Sequence, residues 1–353
     1  MGSVKKRIEW IDLVRAVGMF MIVMGHTLEA YTYSWIARLI FAVHVPVFFI
    51  LSGYLFREKS MGQVIKNGAR NLLLPYLATV VLLMLGTRLA VFFPNIINNV
   101  NLHDLAISAL YGSGTTISFF LNKAITINAI GAIWFLLAMF LGNIIFNALM
   151  SYTKQHLAIR YVGIILLTVL GFALSAEGII LPWSLNAALA SQAFYLAGYE
   201  IKYFAMVEKR GWFYFILGLL LWGISAQSGF FYLNIAYANV PLLAVLGGIG
   251  GSFVLMFLAA EITKFAFNFK YVEYFGQMSL IVLCIHLLDL SGLSLAGKVY
   301  GSVLQSTGNV MLAVSLEILY RLVVTVIGII VIPKIPYLRS FYLNRKYPFF
   351  RQA

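Results

Sequence analysis

The chain has 353 residues, of which 62% are hydrophobic and only 10% charged, with a net charge of +13. Soluble domains carry about 25% charged residues, so this composition excludes an ordinary soluble enzyme or binding module. The positive balance does not point to nucleic acid either, because the basic residues sit in short segments between apolar runs, without a basic tail or an aromatic-interleaved patch.

Apolar runs of about 20 residues, each enough to cross a hydrocarbon core of roughly 30 Å, recur along the chain. They fall at 9–30, 36–56, 72–93, 128–150, 160–178, 183–201, 212–230, 240–262, 273–290 and 311–333. The expected fold is all-α: a polytopic integral membrane protein of about ten transmembrane helices, forming one domain over 1–353. Ten crossings leave both termini on one side. Of the 25 Lys and Arg, only Arg38, Arg88, Lys123 and Lys298 fall on the opposite side, and Arg15 and Arg321 lie inside spans. The positive-inside rule therefore places both termini in the cytoplasm. The first run lacks a small-residue cleavage site and holds Arg15 and His26, so it is read as a retained span. The single cysteine, Cys284, excludes an intrachain disulfide and is read as packing.

In the first span Asp12, Arg15 and His26 stand out. Eleven residues at about 100° each bring Arg15 and His26 to nearly one helical face, roughly 16 Å apart along the axis. A charge in a span costs about 2.5–3.5 kcal/mol, which makes such residues functional candidates. Two readings of Arg15 stand: an ion pair with Asp12 alone, or a guanidinium aimed at an anionic substrate such as phosphate. The second span carries His44 beside Pro46, which removes a backbone donor and can kink the helix, and ends in Ser52-Gly53-Tyr54. Packing through Ser52-Gly53 is the favoured reading there, with a nucleophilic serine as the sharper one.

The longest loop, about 94–127, has helical periodicity through Leu102, Leu105, Ala106, Ala109 and Leu110, closed by Tyr111-Gly-Ser-Gly. It is either a structured cap over a cavity or a plain surface loop. The ninth span holds His286 and Asp289, three apart on one face, and the last holds Glu317 and Arg321, four apart and read as an ion pair. His26, His44 and His286 thus lie at broadly similar depth. They are read as structural histidines or as acid–base groups. No HExxH or carboxylate-rich spacing supports a metal site, and no metal is expected.

In order along the chain, Arg15-x10-His26, Phe41-Ala-Val-His44-Val-Pro-Val-Phe-Phe with Ser52-Gly53-Tyr54, Arg70-Asn-Leu-Leu-Leu-Pro75-Tyr76, Ile133-Trp134-Phe135-Leu136 and Ser279-Leu-Ile-Val-Leu-Cys-Ile-His286 resemble the signatures of the membrane-bound acyltransferase family 3. Within it they are most similar to the fucose 4-O-acetylase-like branch. Val45 departs from the methionine common in that branch, and no appended hydrolase-like domain is present in the sequence.

The resemblance implies transfer of an acyl group, usually acetyl from cytoplasmic acetyl-CoA, to a carbohydrate hydroxyl at the outer face of a bacterial plasma membrane. It implies no bound cofactor, acetyl-CoA being the donor substrate. The catalytic set it implies is His26 as general base or transient acyl carrier, Arg15, Asp12, His44 and His286. Arg57, Arg70, Ser52, Tyr54 and Trp134 are implied as substrate-binding positions. The expected partners are acyl-CoA, a polysaccharide or lipid-linked sugar acceptor and the bilayer. A transporter of a sugar or an acylated glycan precursor is the rival reading, since spans with midplane ionisable groups suit that task too.

Overall fold

The computed structural model describes residues 8–120, 123–265 and 268–349. Lys5, Lys6, Arg7 and Arg351, part of the terminal-side charge, lie outside the described residues. The chain folds as α1 (Glu9–Gly25), α2 (Trp35–Val43), α3 (Pro46–Tyr54), α4 (Met61–Gly68), α5 (Leu74–Leu89) and α6 (Leu102–Tyr111), followed by a hairpin of β1 (Ile117–Phe120) and β2 (Lys123–Ile127). Then come α7 (Trp134–Tyr152), α8 (Leu157–Ala176), α9 (Leu185–Ala190), α10 (Gln192–Tyr203) and α11 (Met206–Ser228). A two-residue hairpin of β3 (Phe231–Tyr232) and β4 (Tyr237–Ala238) leads to α12 (Pro241–Ile262), α13 (Lys270–Gln277), α14 (Ser279–Gly292), α15 (Leu295–Thr307), α16 (Val310–Val331) and α17 (Leu338–Tyr342).

Each of the ten apolar runs is helical, but not all as single rods. Among the described residues, seven stretches are long and apolar enough to cross a membrane, and α13–α14, bent by 70°, makes an eighth. The other two runs are shorter: α1 has 17 residues, and 183–201 is broken at Ser191 between α9 and α10. At that break the Ser191 hydroxyl and the Gln192 amide both donate to the Ala188 carbonyl, at 2.9 and 2.8 Å, the local competition by which polar side chains interrupt a helix.

The second span breaks where Pro46 predicts. α2 ends at Val43, His44 caps it, and Pro46 starts α3 at a position where its missing N–H has no partner to lose. Between α4 and α5, residues Ala69–Leu73 form a π-helical turn just before Pro75, the wider turn accommodating a residue that cannot donate.

Outward faces are apolar. Ile159, Val162, Ile165, Leu166 and Val169 of α8 are all exposed, and a helix that shows its aliphatic side chains outward is built for an apolar surrounding rather than water. α1 is central: it packs against α13, α12, α14, α2, α16 and α3. α3 meets α10 at Gly53 and Gly198. A Cβ on Gly53 would run into the Tyr195 carbonyl, and one on Gly198 into that of Ile50. Backbone contact through small residues is the packing device of helices in lipid, and it is the role Gly53 takes here, while Ser52 faces a cavity.

Candidate functional site

Three cavities lie in file beside α1. The first, of about 350 Å³, is lined by Arg15, Arg57, Lys59 and Arg345 with Asn67, Asn71, Asn143 and Asn147, and among the described residues no carboxylate borders it. Asn147 fixes its rim: the Lys59 N–H donates to Asn147 Oδ1 at 3.1 Å, and Asn147 Nδ2 donates to the Lys59 carbonyl at 3.0 Å. Neighbouring Glu58 pairs with Lys154 at 2.6 Å. That ammonium and the Ser151 hydroxyl hold the Glu58 carboxyl below its ordinary value, so it stays ionised and spent on Lys154. The mouth is left as a cationic basin.

Arg15, Ser52, Leu55, Asn71, Leu72 and Met139 also border the second cavity, of about 190 Å³. Its other walls are Met19, Phe48, Leu51, Phe135, Leu136, Leu280 and Leu283, with Ser279, so it is an apolar neck with Arg15 at its polar end. Arg15 is set by Asp12: Nη1 lies 3.2 Å from Asp12 Oδ1, the Asp12 side chain is buried and the Arg15 side chain is 31% exposed. The pair lowers the cost of both charges while leaving the Arg15 head open to the cavities.

Phe135 and Leu283 border both the neck and a third cavity of about 370 Å³. This chamber contains His26, His44, Phe41, Trp134, Phe231, Tyr232, Asn234, Gly114 and Thr115. His26 is the residue that ends α1, which frees its ring from the helix face. The Phe41 ring stands between the two histidines, 6.3 Å from His26 and 4.7 Å from His44 between centroids. His44 Nδ1 lies 3.0 Å from the Ile40 carbonyl. A carbonyl only accepts, so Nδ1 carries the proton and Nε2 is left as an acceptor. His286 is fully buried with its ring 5.6 Å from that of His26, and neither of its nitrogens has a hydrogen-bond partner among the described residues.

The long loop and the β3–β4 segment close this chamber. α6 forms over Leu102–Tyr111 as its periodicity predicts, and Gly112, at φ +69°, ends it. Asn234 then donates to the Gly114 carbonyl at 3.1 Å, joining the two segments over His26. The loop is thus a structured cap.

Beside the histidines, Arg321 joins two helices. Its Nη1 donates to Asp289 Oδ2 at 2.7 Å and its Nη2 to Glu317 Oε1 at 3.0 Å, with all three side chains buried. The expected Glu317–Arg321 pair is present, and Asp289 adds a second carboxylate from α14.

The site residues expected from sequence divide clearly. Arg15, Ser52 and Arg57 line the neck or the mouth, and His26, His44 and Trp134 line the chamber. Asp12 and His286 stand behind them, buried. Arg70 and Tyr54 border none of the three cavities. Arg70 is exposed within the π turn, while Asn71 and Leu72 face inward. Tyr54 packs edge-on against Trp10 at 5.2 Å. Sequence reasoning missed the asparagines, Arg345, and the Phe231-Tyr232-Asn234 segment. The asparagines left a signal, since Asn67/Asn71 and Asn143/Asn147 are each four apart and so share a helix face. Arg345 and the 231–234 segment left none.

No curated protein and no solved structure matches the chain. The family model described as an acyltransferase domain matches residues 8–333. A basic mouth, an apolar neck and a histidine chamber therefore belong to a multi-pass membrane acyltransferase, and the chain belongs to the acyltransferase 3 family.

Proposed function

We propose that this enzyme moves acetyl from cytoplasmic acetyl-CoA to a hydroxyl of a cell-surface or exported carbohydrate, in a bacterial inner membrane with both termini cytoplasmic, as in the fucose 4-O-acetylase-like branch. The observation that carries the reading is the file of cavities running from Arg57, Lys59 and Arg345 past Arg15 to His26. The polyanionic end of CoA suits the cationic mouth. The uncharged pantetheine arm, with its apolar dimethyl carbon, suits the apolar neck, which would bring the thioester to the chamber.

In the chamber, His26 takes the proton of the acceptor hydroxyl while that oxygen bonds to the thioester carbonyl carbon. The carbon–sulfur bond breaks, and the departing CoA thiolate recovers the proton from the imidazolium. A variant of the same chemistry passes the acyl group through His26 itself, as a transient acyl-imidazole. Asp12 orients Arg15, and His44 and His286 flank His26. Trp134 and Tyr232 supply aromatic faces for the apolar face of a sugar ring, and Asn234 and Thr115 supply polar groups.

The test is His26→Ala. Surface glycans analysed by mass spectrometry should lose their O-acetyl groups, and transfer by the purified enzyme should fall about 10²–10⁴-fold. Unchanged acetylation at normal protein abundance would remove His26 from the mechanism.

A further inference from the structure

The second and third cavities meet at two side chains, Phe135 of α7 and Leu283 of α14. A group moving from the Arg15 end to His26 by way of these two cavities therefore runs past both side chains. Both are almost wholly buried, and neither belongs to a loop. Phe135 is braced edge-on by Phe48 at 5.7 Å, Phe49 at 5.3 Å and Trp134 at 6.2 Å between ring centroids. Phe48 is held in turn against α1 at Gly18, where a Cβ would lie 2.9 Å from the Phe48 ring. Leu283 sits one turn before His286 on α14. The opening is therefore set by four packed helices, α1, α3, α7 and α14. The neck behind it includes the adaptable side chains of Met19 and Met139.

A narrow opening between rigid walls discriminates by cross-section rather than by length, because close-packed side chains resist displacement. An unbranched acyl chain is no wider than the cysteamine and β-alanine segments that follow it, and the dimethyl carbon of the pantetheine arm lies far enough behind the sulfur to stay on the neck side. A chain branched at the carbon next to the carbonyl is wider at the point that must enter the chamber.

We infer that Phe135 and Leu283 form an acyl-selecting aperture, which admits unbranched acyl groups to His26 and rejects those branched beside the carbonyl. The inference rests on the acyl-CoA reading above and adds the feature of the donor that is read.

The test compares two isomeric donors, n-butyryl-CoA and isobutyryl-CoA, alongside acetyl-CoA, using detergent-purified protein. The wild type should prefer the straight isomer in kcat/KM by about tenfold or more, the scale on which one misfitting methyl group is discriminated. Leu283→Ala and Phe135→Leu should each shrink that preference by about tenfold. A wild type that uses the two isomers equally overturns the aperture, as does an unchanged ratio in both variants. If the wild type transfers neither C4 acyl group, newly gained isobutyryl transfer in either variant supports the aperture, and no gain in both overturns it. Leu283→Val replaces Leu283→Ala if the alanine variant does not elute as a single species. A wild type inactive with acetyl-CoA itself would instead overturn the proposed function, so the two failures are distinct.

Discussion

Arg15 illustrates how a costly charge inside an apolar helix can be paired and still face a cavity. A guanidinium within the first span is tolerated because Asp12, one turn earlier, accepts from it at 3.2 Å. Yet 31% of the Arg15 side chain remains accessible, and it borders both the mouth and the neck. A hydrogen bond from a charged donor contributes about 1.5–3 kcal/mol, which corresponds to tenfold or more in an equilibrium. With acetyl-CoA and a carbohydrate as the proposed substrates, Arg15→Ala is expected to raise KM for the donor by about tenfold while leaving KM for the acceptor near its wild-type value. Arg15→Lys should recover only part of the loss, because an ammonium keeps the charge without the planar fork. Steady-state kinetics with each substrate varied in turn checks this, and an equal rise in both constants would place Arg15 in general folding rather than donor binding.

At the level of helices, the Asp289–Arg321–Glu317 cluster fastens α14 to α16 directly behind His286. Two carboxylates share one guanidinium in a buried setting, so each depends on Arg321 for compensation. Removing one member of such a cluster strands a buried charge and costs about 3–5 kcal/mol. Arg321→Met is therefore expected to lower the thermal midpoint in detergent sharply. The triple variant Asp289→Asn, Glu317→Gln, Arg321→Met should return most of the loss, since no unpaired charge remains. A scan of thermal unfolding of the solubilised protein decides it. If Arg321→Met melts with the wild type, the cluster is not a fastening.

This cluster also marks where reading the sequence stops. Glu317 and Arg321 could be paired in advance because four residues on a helix bring them to one face. Asp289 could not be added, because its approach depends on how α14 packs on α16. The same divide runs through the site. Arg15, His26, His44 and His286 were legible because an ionisable group in an apolar run is costly wherever the helix packs, and the Pro46 break was legible because proline's missing donor is local. Arg345, Tyr232 and Asn234 reach the cavities only through tertiary folding, as does the meeting of Phe135 with Leu283. Helix interruptions at Ser191 and Met278 also escaped hydropathy, which sees apolar length but not the backbone bend inside it.

For the molecule as a whole, orientation in the bilayer decides the direction of acyl transfer. The charge asymmetry predicts the Arg57–Arg70 segment inside and the end of α15 outside. The proposed function requires the same arrangement, since acetyl-CoA must meet Arg57, Lys59 and Arg345 from the cytoplasm. Two exposed serines report the two sides: Ser60, between α3 and α4, and Ser306, near the end of α15. The native background is low, because Cys284 is the single cysteine of the sequence and is fully buried. In intact cells a membrane-impermeant maleimide is expected to label Ser306→Cys but not Ser60→Cys, and Ser60→Cys should react once the cells are permeabilised. Labelling of Ser60→Cys in intact cells would turn the basic mouth away from the cytoplasmic acetyl-CoA pool, and the proposed donor route would fall even if His26 proved essential. Labelling as expected fixes the direction of the cavity file, with the cationic basin inside and the histidine chamber toward the outer face, where an exported carbohydrate can reach it.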